Sequence, residues 1–365
     1  MRPLRIVHTE SSLGWGGQEI RILSESQGLI RRGHDVRLLC APQSRIHAEA
    51  VNWGVPAIAL PIDRKRPVGL GALHQWFTAN ASDIINTHSS TDSWLAAIVL
   101  LALGWPTRVV RTRHISAPVA RGPLSRWLYM RAAAHVVTTG EALKRELVER
   151  NGFRASRIES VPTGIDAGRF RPGERMAMRA KFGLPQDKTL VGIVATLRSW
   201  KGHATLLEAM TRLPEKFELV IVGDGPQREA LEQGIAKLGL RGRVRMQGQQ
   251  ADVLPWLRAF DIFALPSFAN EGVPQALVQA MLVELPCITT AIGGIPEVAE
   301  HERTALVVPP RDAAALAAAI ERLAADEGLR TELGQAARKH CVEGYSYERM
   351  LERMELIYRN VAGIF

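Results

Sequence analysis

Short, β-branched apolar runs alternate along the chain with longer segments whose apolar positions recur at helical spacing. The first pattern predicts strands and the second helices, and their alternation predicts parallel sheets covered by helices. Six strands are expected in the first half, at Leu4–Thr9, Val36–Cys40, Asp83–Thr87, Arg108–Thr112, His135–Thr139 and Ile158–Val161. Six more are expected in the second, at Leu190–Thr196, Glu218–Val222, Val244–Met246, Ile262–Leu265, Cys287–Thr290 and Ala305–Val308. One helix's worth of residues separates neighbouring runs, so the expected fold class is α/β, with two Rossmann-like doubly wound sheets in tandem. The Gly/Pro-bearing stretch Pro162–Pro172 marks the boundary. The expected domains are 1–165 and 166–345, with an amphipathic segment, 346–365, free to pack back on the first. Open α/β sheets bind ligands beyond the carboxyl ends of their strands, so two such domains would offer a shared cleft to two substrates.

Composition changes this picture little. A chain of 365 residues suits two cores rather than one. It runs into its first strand at Leu4, leaving no room for a signal peptide. The longest uncharged apolar run, the 12 residues Trp94–Trp105, is read as a buried helix, since a membrane span needs about 20. Cys40, Cys287 and Cys341 are far apart, without metal or redox spacing, and are expected as reduced core thiols in a cytoplasmic protein.

Charge adds an asymmetry. Of the net +9, residues 1–170 hold 22 Lys+Arg against 13 Asp+Glu, while residues 171–365 hold 24 of each. The whole surplus lies in the first half, together with six of the eight tryptophans. Such a half fits a surface that meets anionic lipid or an anionic acceptor, and equally a solvated basic face over core tryptophans. Arg121, Arg126 and Arg131, interleaved with Trp127 and Tyr129, leave the same two readings open.

Three segments carry candidate chemistry. Leu13-Gly14-Trp15-Gly16-Gly17-Gln18-Glu19 follows the first strand and opens a helix. It is either a tight turn or a phosphate cradle, and it matches neither the dinucleotide fingerprint nor a P-loop. Arg198 and Lys201, in Thr196-Leu197-Arg198-Ser199-Trp200-Lys201, stand at a strand end where two cations would neutralise a diphosphate, or are ordinary surface charge. Gly223-Asp224-Gly225-Pro226 is a tight turn at another strand end. The strongest segment is Asn270-Glu271-Gly272-Val273-Pro274-Gln275-Ala276, leading into a helix that carries Gln279. There Glu271 would meet a sugar and the amides from Gly272 to Ala276 a phosphate. Gly293-Gly294-Ile295-Pro296-Glu297 forms a further turn. His114 follows a strand end as well, a place where a structural histidine is the commoner finding.

Taken in order, these motifs, with Val161-Pro162-Thr163-Gly164-Ile165-Asp166 at the linker, resemble the retaining GT-B glycosyltransferases of family four over nearly the whole chain. The resemblance implies a donor site for a nucleotide-diphosphate sugar. Arg198 and Lys201 would hold the diphosphate and Glu271 the sugar hydroxyls, with Gly272, Val273, Pro274, Gln275 and Ala276 supporting sugar and phosphates. Gln279 would take the ribose, Gly223 would border the site, and the Met246–Gly248 turn would lie near the base. From the first domain, Gly16 and Gly17 would approach the phosphate or acceptor and His114 the sugar. No metal or other cofactor is implied, because preorganised cations and amides can take the place of Mg²⁺.

Three positions depart from the family pattern. Gln279 stands for the second glutamate and Thr163 for the linker asparagine. Aligned without gaps from Lys201, the family's arginine falls on Thr196, so Arg198 would serve from two residues later. The expected activity is retaining, metal-independent glycosyl transfer to a lipid-linked or lipopolysaccharide-type glycan acceptor at the inner face of the cytoplasmic membrane. Peripheral attachment is expected to run through the basic half, with no nucleic-acid partner. A small soluble acceptor, a nucleotide-sugar epimerase and a sugar-nucleotide sensor without turnover are the alternatives.

Overall fold

Apolar runs of this chain become strands buried on both faces, which is why they lack polar alternation. The structure, a computed structural model, describes residues 2–105, 108–115 and 117–364. It divides into two units, Met1–Thr163 with Glu348–Phe365, and Gly164–Tyr347.

In the first unit β1 (Arg5–Glu10), β2 (Asp35–Cys40), β3 (Ala57–Ala59), β4 (Ile84–Thr87), β5 (Val109–Arg113), β6 (His135–Thr138) and β7 (Ile158–Ser160) form one parallel sheet, ordered β3-β2-β1-β4-β5-β6-β7. The chain winds outward from β1 to β3, then restarts at β4 on β1's other side, where Ile6 pairs with both Val36 and Ile84. That reversal leaves a crevice beyond the carboxyl ends of β1 and β4. The edge strand β3 is absent from the sequence expectation. Ala57-Ile58-Ala59 is three residues long, half-exposed and followed two residues on by Pro61, and β2 supplies its order.

The second unit holds β8 (Thr189–Val194), β9 (Phe217–Val222), β10 (Val244–Met246), β11 (Ile262–Leu265), β12 (Cys287–Thr289) and β13 (Leu306–Val307), ordered β10-β9-β8-β11-β12-β13. Its reversal falls between β8 and β11. Both sheets are parallel and interleaved with helices, the GT-B class of the sequence reading. The three cysteines are free and buried.

The last helix, Tyr347–Ala362, buries Met350, Leu351, Met354, Ile357 and Tyr358. From Glu348 onward it belongs to the first unit, and its key polar contact is internal. The Tyr358 hydroxyl donates to Glu25 Oε1 at 2.6 Å and accepts from Asn86 Nδ2 at 2.6 Å. Arg353 adds an ion pair to Glu159.

Candidate active site

In the second unit, β8 ends in a 3₁₀ turn, Ser199–Lys201, followed by Gly202 at φ 79° and the helix His203–Arg212. A Cβ on Gly202 would lie 2.0 Å from the Pro266 carbonyl oxygen, so only glycine lets this turn rest on the loop after β11. That contact brings Lys201 Nζ within 2.7 and 2.9 Å of the two Glu271 carboxylate oxygens. Glu271 is 5% exposed and Lys201 20%, so each charge depends on the other for partnership. Ser267 Oγ donates to Glu271 Oε1 at 2.6 Å, and Thr290 Oγ1 donates to the Ser267 carbonyl at 2.5 Å. The Phe268 amide donates to the Trp200 carbonyl at 2.8 Å. Loops from β8, β11 and β12 thus converge on one carboxylate at the point where strand order reverses. Behind Glu271, Gly293 at φ 58° would place a Cβ 2.1 Å from the Glu271 carbonyl oxygen, which locks the two loops together.

Gly272, Val273 and Pro274 lead into the helix Gln275–Leu282, whose first turn closes with the Leu277 and Val278 amides on the Pro274 carbonyl. Ala276 lies in that turn, and Gln279 follows one turn after Gln275, half-buried and with no side-chain hydrogen bond among the described residues. The Gly223 amide donates to the Gly248 carbonyl at 2.8 Å, joining the ends of β9 and β10, where Met246 packs on the core. Arg198 is exposed, its guanidinium 5.6 Å from the Trp200 ring centroid, and makes no ion pair with Glu271. The structure therefore brings Lys201 and Glu271 together and leaves Arg198 outside their pair. Burial, and then the neighbouring Lys201 charge, push His203 down to about 4.

The first unit has its own polar cluster at its reversal. Gly16 precedes and Gly17 opens the helix Gly17–Arg31. Glu10, the last residue of β1, is buried and accepts from the Ser12 amide at 2.7 Å, from Ser89 Oγ and from Gln18 Nε2. Asp92 accepts from the His88 and Ser89 amides at 2.9 Å each and from Thr9 Oγ1 at 2.7 Å, clamping the ends of β1 and β4. Burial and then the Asp92 charge raise the Glu10 carboxyl to about 8, and burial raises Asp92. His114 follows β5 and contacts His88, whose Nδ1 lies 2.9 Å from His114 Nε2. The sequence reading missed Glu10, Ser89, Asp92 and Ser267. Glu10, Ser89 and Ser267 share a position at or just beyond the carboxyl end of a buried strand, and Ser89 with Asp92 forms the capping box of the helix Ser90–Ala102. Among the described residues no group of three His, Cys, Asp or Glu is placed to hold a metal ion.

Comparison with known proteins assigns the chain to a family. Residues 174–340 match the family model "Glycosyl transferases group 1", and residues 15–169 match "Glycosyltransferase Family 4". A D-inositol 3-phosphate glycosyltransferase of Saccharomonospora viridis is 26% identical over 96% of this chain and 90% of its own length. Anabaena Alr3699/HepE, solved in complex with UDP-glucose, superposes with a TM-score of 0.88 at 20% identity, covering 98% of this chain and 100% of its own. WaaG, a glycosyltransferase involved in lipopolysaccharide biosynthesis, superposes at 0.75 with 18% identity over 98% and 100%.

Proposed function

Because this chain belongs to the group 1, family 4 glycosyltransferases, we propose that it transfers a sugar from a nucleotide-diphosphate donor with retention of configuration and without a metal. The observation that carries the reading is the Lys201–Glu271 pair at the strand reversal of the second sheet. As the bond between the anomeric carbon and the diphosphate oxygen breaks, negative charge grows on the leaving group. Lys201, fixed on its turn, stabilises that charge, and Arg198 supplies a second cation from the same loop. Glu271, released from Lys201, accepts hydrogen bonds from sugar hydroxyls. The Gly272–Ala276 backbone lies against sugar and phosphates, Gln279 takes the ribose, and the turn from Met246 to Gly248 lies near the base. The HepE complex with UDP-glucose supports a nucleotide-sugar donor.

The acceptor is a lipid-linked or lipopolysaccharide-type glycan, reached at the inner face of the cytoplasmic membrane. WaaG's role supports the acceptor class, and the surface of the first unit supports the location. On the helix Ser90–Ala102, Ile98 and Leu101 are exposed one and two turns beyond Trp94. Trp94 stacks on Trp127 and lies under Lys65, while Leu124 stands exposed three residues before Trp127. This face is apolar and aromatic, carries Lys65 over Trp94, and adjoins in sequence the exposed Arg121 and Arg126. Among the described residues no helix is long and apolar enough to cross a membrane. A small soluble acceptor is the second reading, favoured by the inositol-phosphate relative.

Thermal unfolding against a panel of nucleotide sugars, with and without EDTA, tests the donor site. A donor at a hundred times its Kd adds about 2.7 kcal/mol of apparent stability, and EDTA is expected to leave that shift in place. A panel without any shift, or a shift abolished by EDTA, would count against the reading.

A further inference from the structure

Three imidazoles line up across adjacent strands of the first sheet. His8 lies within β1, His88 directly follows β4, and His114 directly follows β5. His8 Nδ1 is 2.9 Å from His88 Nε2, and His88 Nδ1 is 2.9 Å from His114 Nε2. The rings follow one another at centroid distances of 5.2 Å in both steps. Exposure rises along the line, from fully buried His8 through His88 at 4% to half-buried His114.

We propose that this line is a one-way relay of neutral rings that fixes His114 with its proton on Nδ1, making it an obligate hydrogen-bond donor at the carboxyl end of β5. His8 and His88 are then positioning residues for His114. Its role toward a substrate oxygen rests on the transferase reading above.

The direction follows from counting protons. A neutral imidazole carries one N–H, and both nitrogens of His88 are engaged with histidine nitrogens, so the whole line must point one way. Pointing inward, it would leave His8 with a proton on Nε2, a buried atom that has no acceptor. The nearby Arg21 has its own buried and unaccepted Nη2, so the interior would then hold two orphaned donors. Glu25 is also close, but it is bound to Arg21 Nε at 2.9 Å and to Tyr358, and neither of its oxygens is within hydrogen-bond reach of His8 Nε2. Pointing outward, His8 Nε2 keeps a lone pair between the charges of Glu25 and Arg21, and the N–H groups of His8 and His88 each have a ring nitrogen as acceptor. The outward arrangement leaves one unmade donor, at Arg21, and one unmade acceptor, at His8, in place of two unmade donors, and a buried lone pair is better tolerated than a buried orphan N–H.

The surroundings also keep the rings neutral. Burial lowers all three, at His8 against the opposing charge of Glu25 and with a smaller contribution from Arg21. His88 feels in addition the two other histidines, Arg21 and Arg111, and His114 feels Arg21, Arg113 and His8. His114 Nε2 is occupied in accepting from His88, so the ring has no free lone pair and does not serve as a base.

Nitrogen-15 NMR of the full chain labelled at histidine reads the tautomers directly. The expected result is Nδ1-protonated signals for His8, His88 and His114 that do not titrate between pH 5 and 8. A His114 protonated on Nε2, or titrating near 6.5, overturns the proposal. In His88→Leu the His114 signal should change tautomer population and begin to titrate. His88→Gln, whose amide can accept from His8 and donate to His114, should restore the Nδ1 form. Unchanged His114 signals in His88→Leu also overturn the relay. Should the tautomers be as expected while His88→Leu leaves the KM for the donor found by thermal screening unmoved, the relay stands. What falls in that case is the placement of His114 against the sugar.

Discussion

Lys201 and Glu271 neutralise each other at 2.7 Å in a half-buried setting, so removing either leaves a charge with little water and no counter-charge. Lys201→Ala and Glu271→Ala are each expected to lower turnover by about a hundredfold or more, with circular dichroism unchanged. Near-normal rates in either variant would remove the pair from the chemistry. Gln279→Glu is expected to keep activity and to tighten donor binding, because a carboxylate accepts from ribose hydroxyls more strongly than an amide. Complete loss of turnover would put the ribose elsewhere. Lys201 and Glu271 were legible in the sequence because each stands beside glycine at the end of an apolar run. Ser267 and Glu10 were not, since a serine and a glutamate acquire their meaning only when a second loop folds over them. Arg198, expected at the diphosphate, lies with its guanidinium over Trp200, exposed and outside the Lys201–Glu271 pair.

Two glycines set how closely the loops of the second sheet approach. Gly202→Ala combines a positive φ with a Cβ 2.0 Å from a backbone oxygen, and backbone cannot yield as a side-chain tip can. A loss of at least about 1–3 kcal/mol is expected from urea unfolding, together with a fall in turnover as Lys201 shifts. Stability within about 0.5 kcal/mol of the parent would show that the two loops are not in this contact. Among strands, all twelve expected from the apolar pattern are present, and those buried on both faces, such as β8 and β11, announce themselves by continuous hydrophobicity. The thirteenth, β3, is invisible to that rule, since an Ala-Ile-Ala edge segment is ordered by its neighbour and not by its own composition.

At the scale of the whole molecule, pH and the basic face give separate predictions. His8, His88 and His114 are held neutral in the fold, His114 down to about 3, whereas unfolded histidine takes a proton near 6.5. Below that value the unfolded first unit binds up to three protons more than the native one, so its stability falls with falling pH. Glu10, raised to about 8, and Asp92, raised to about 6, act in the opposite direction by about one proton each, while His34 and His135, also lowered by burial, add to the three rings, so the histidines outweigh the two carboxyls. The urea midpoint of the first unit is expected to drop between pH 7 and 5, and a flat profile would show the rings to be solvated. Sedimentation with anionic vesicles should carry the chain down in low salt, with Leu101→Asp plus Leu124→Asp weakening this at least about tenfold. Equal binding by parent and double variant would move the contact off this face.

The helix Tyr347–Ala362 has a further consequence, one of timing. A ribosome releases residues in order, so the segment that seats Tyr358 against Glu25 and Asn86 emerges only after all of the second unit has been made. Until then the nascent first unit holds Arg21 and Glu25 without Tyr358, and it is expected to stay loosened while the later-born unit closes. A chain stopped at residue 347 should therefore keep its second half intact under trypsin and lose its first, the reverse of the order in which the two were synthesised.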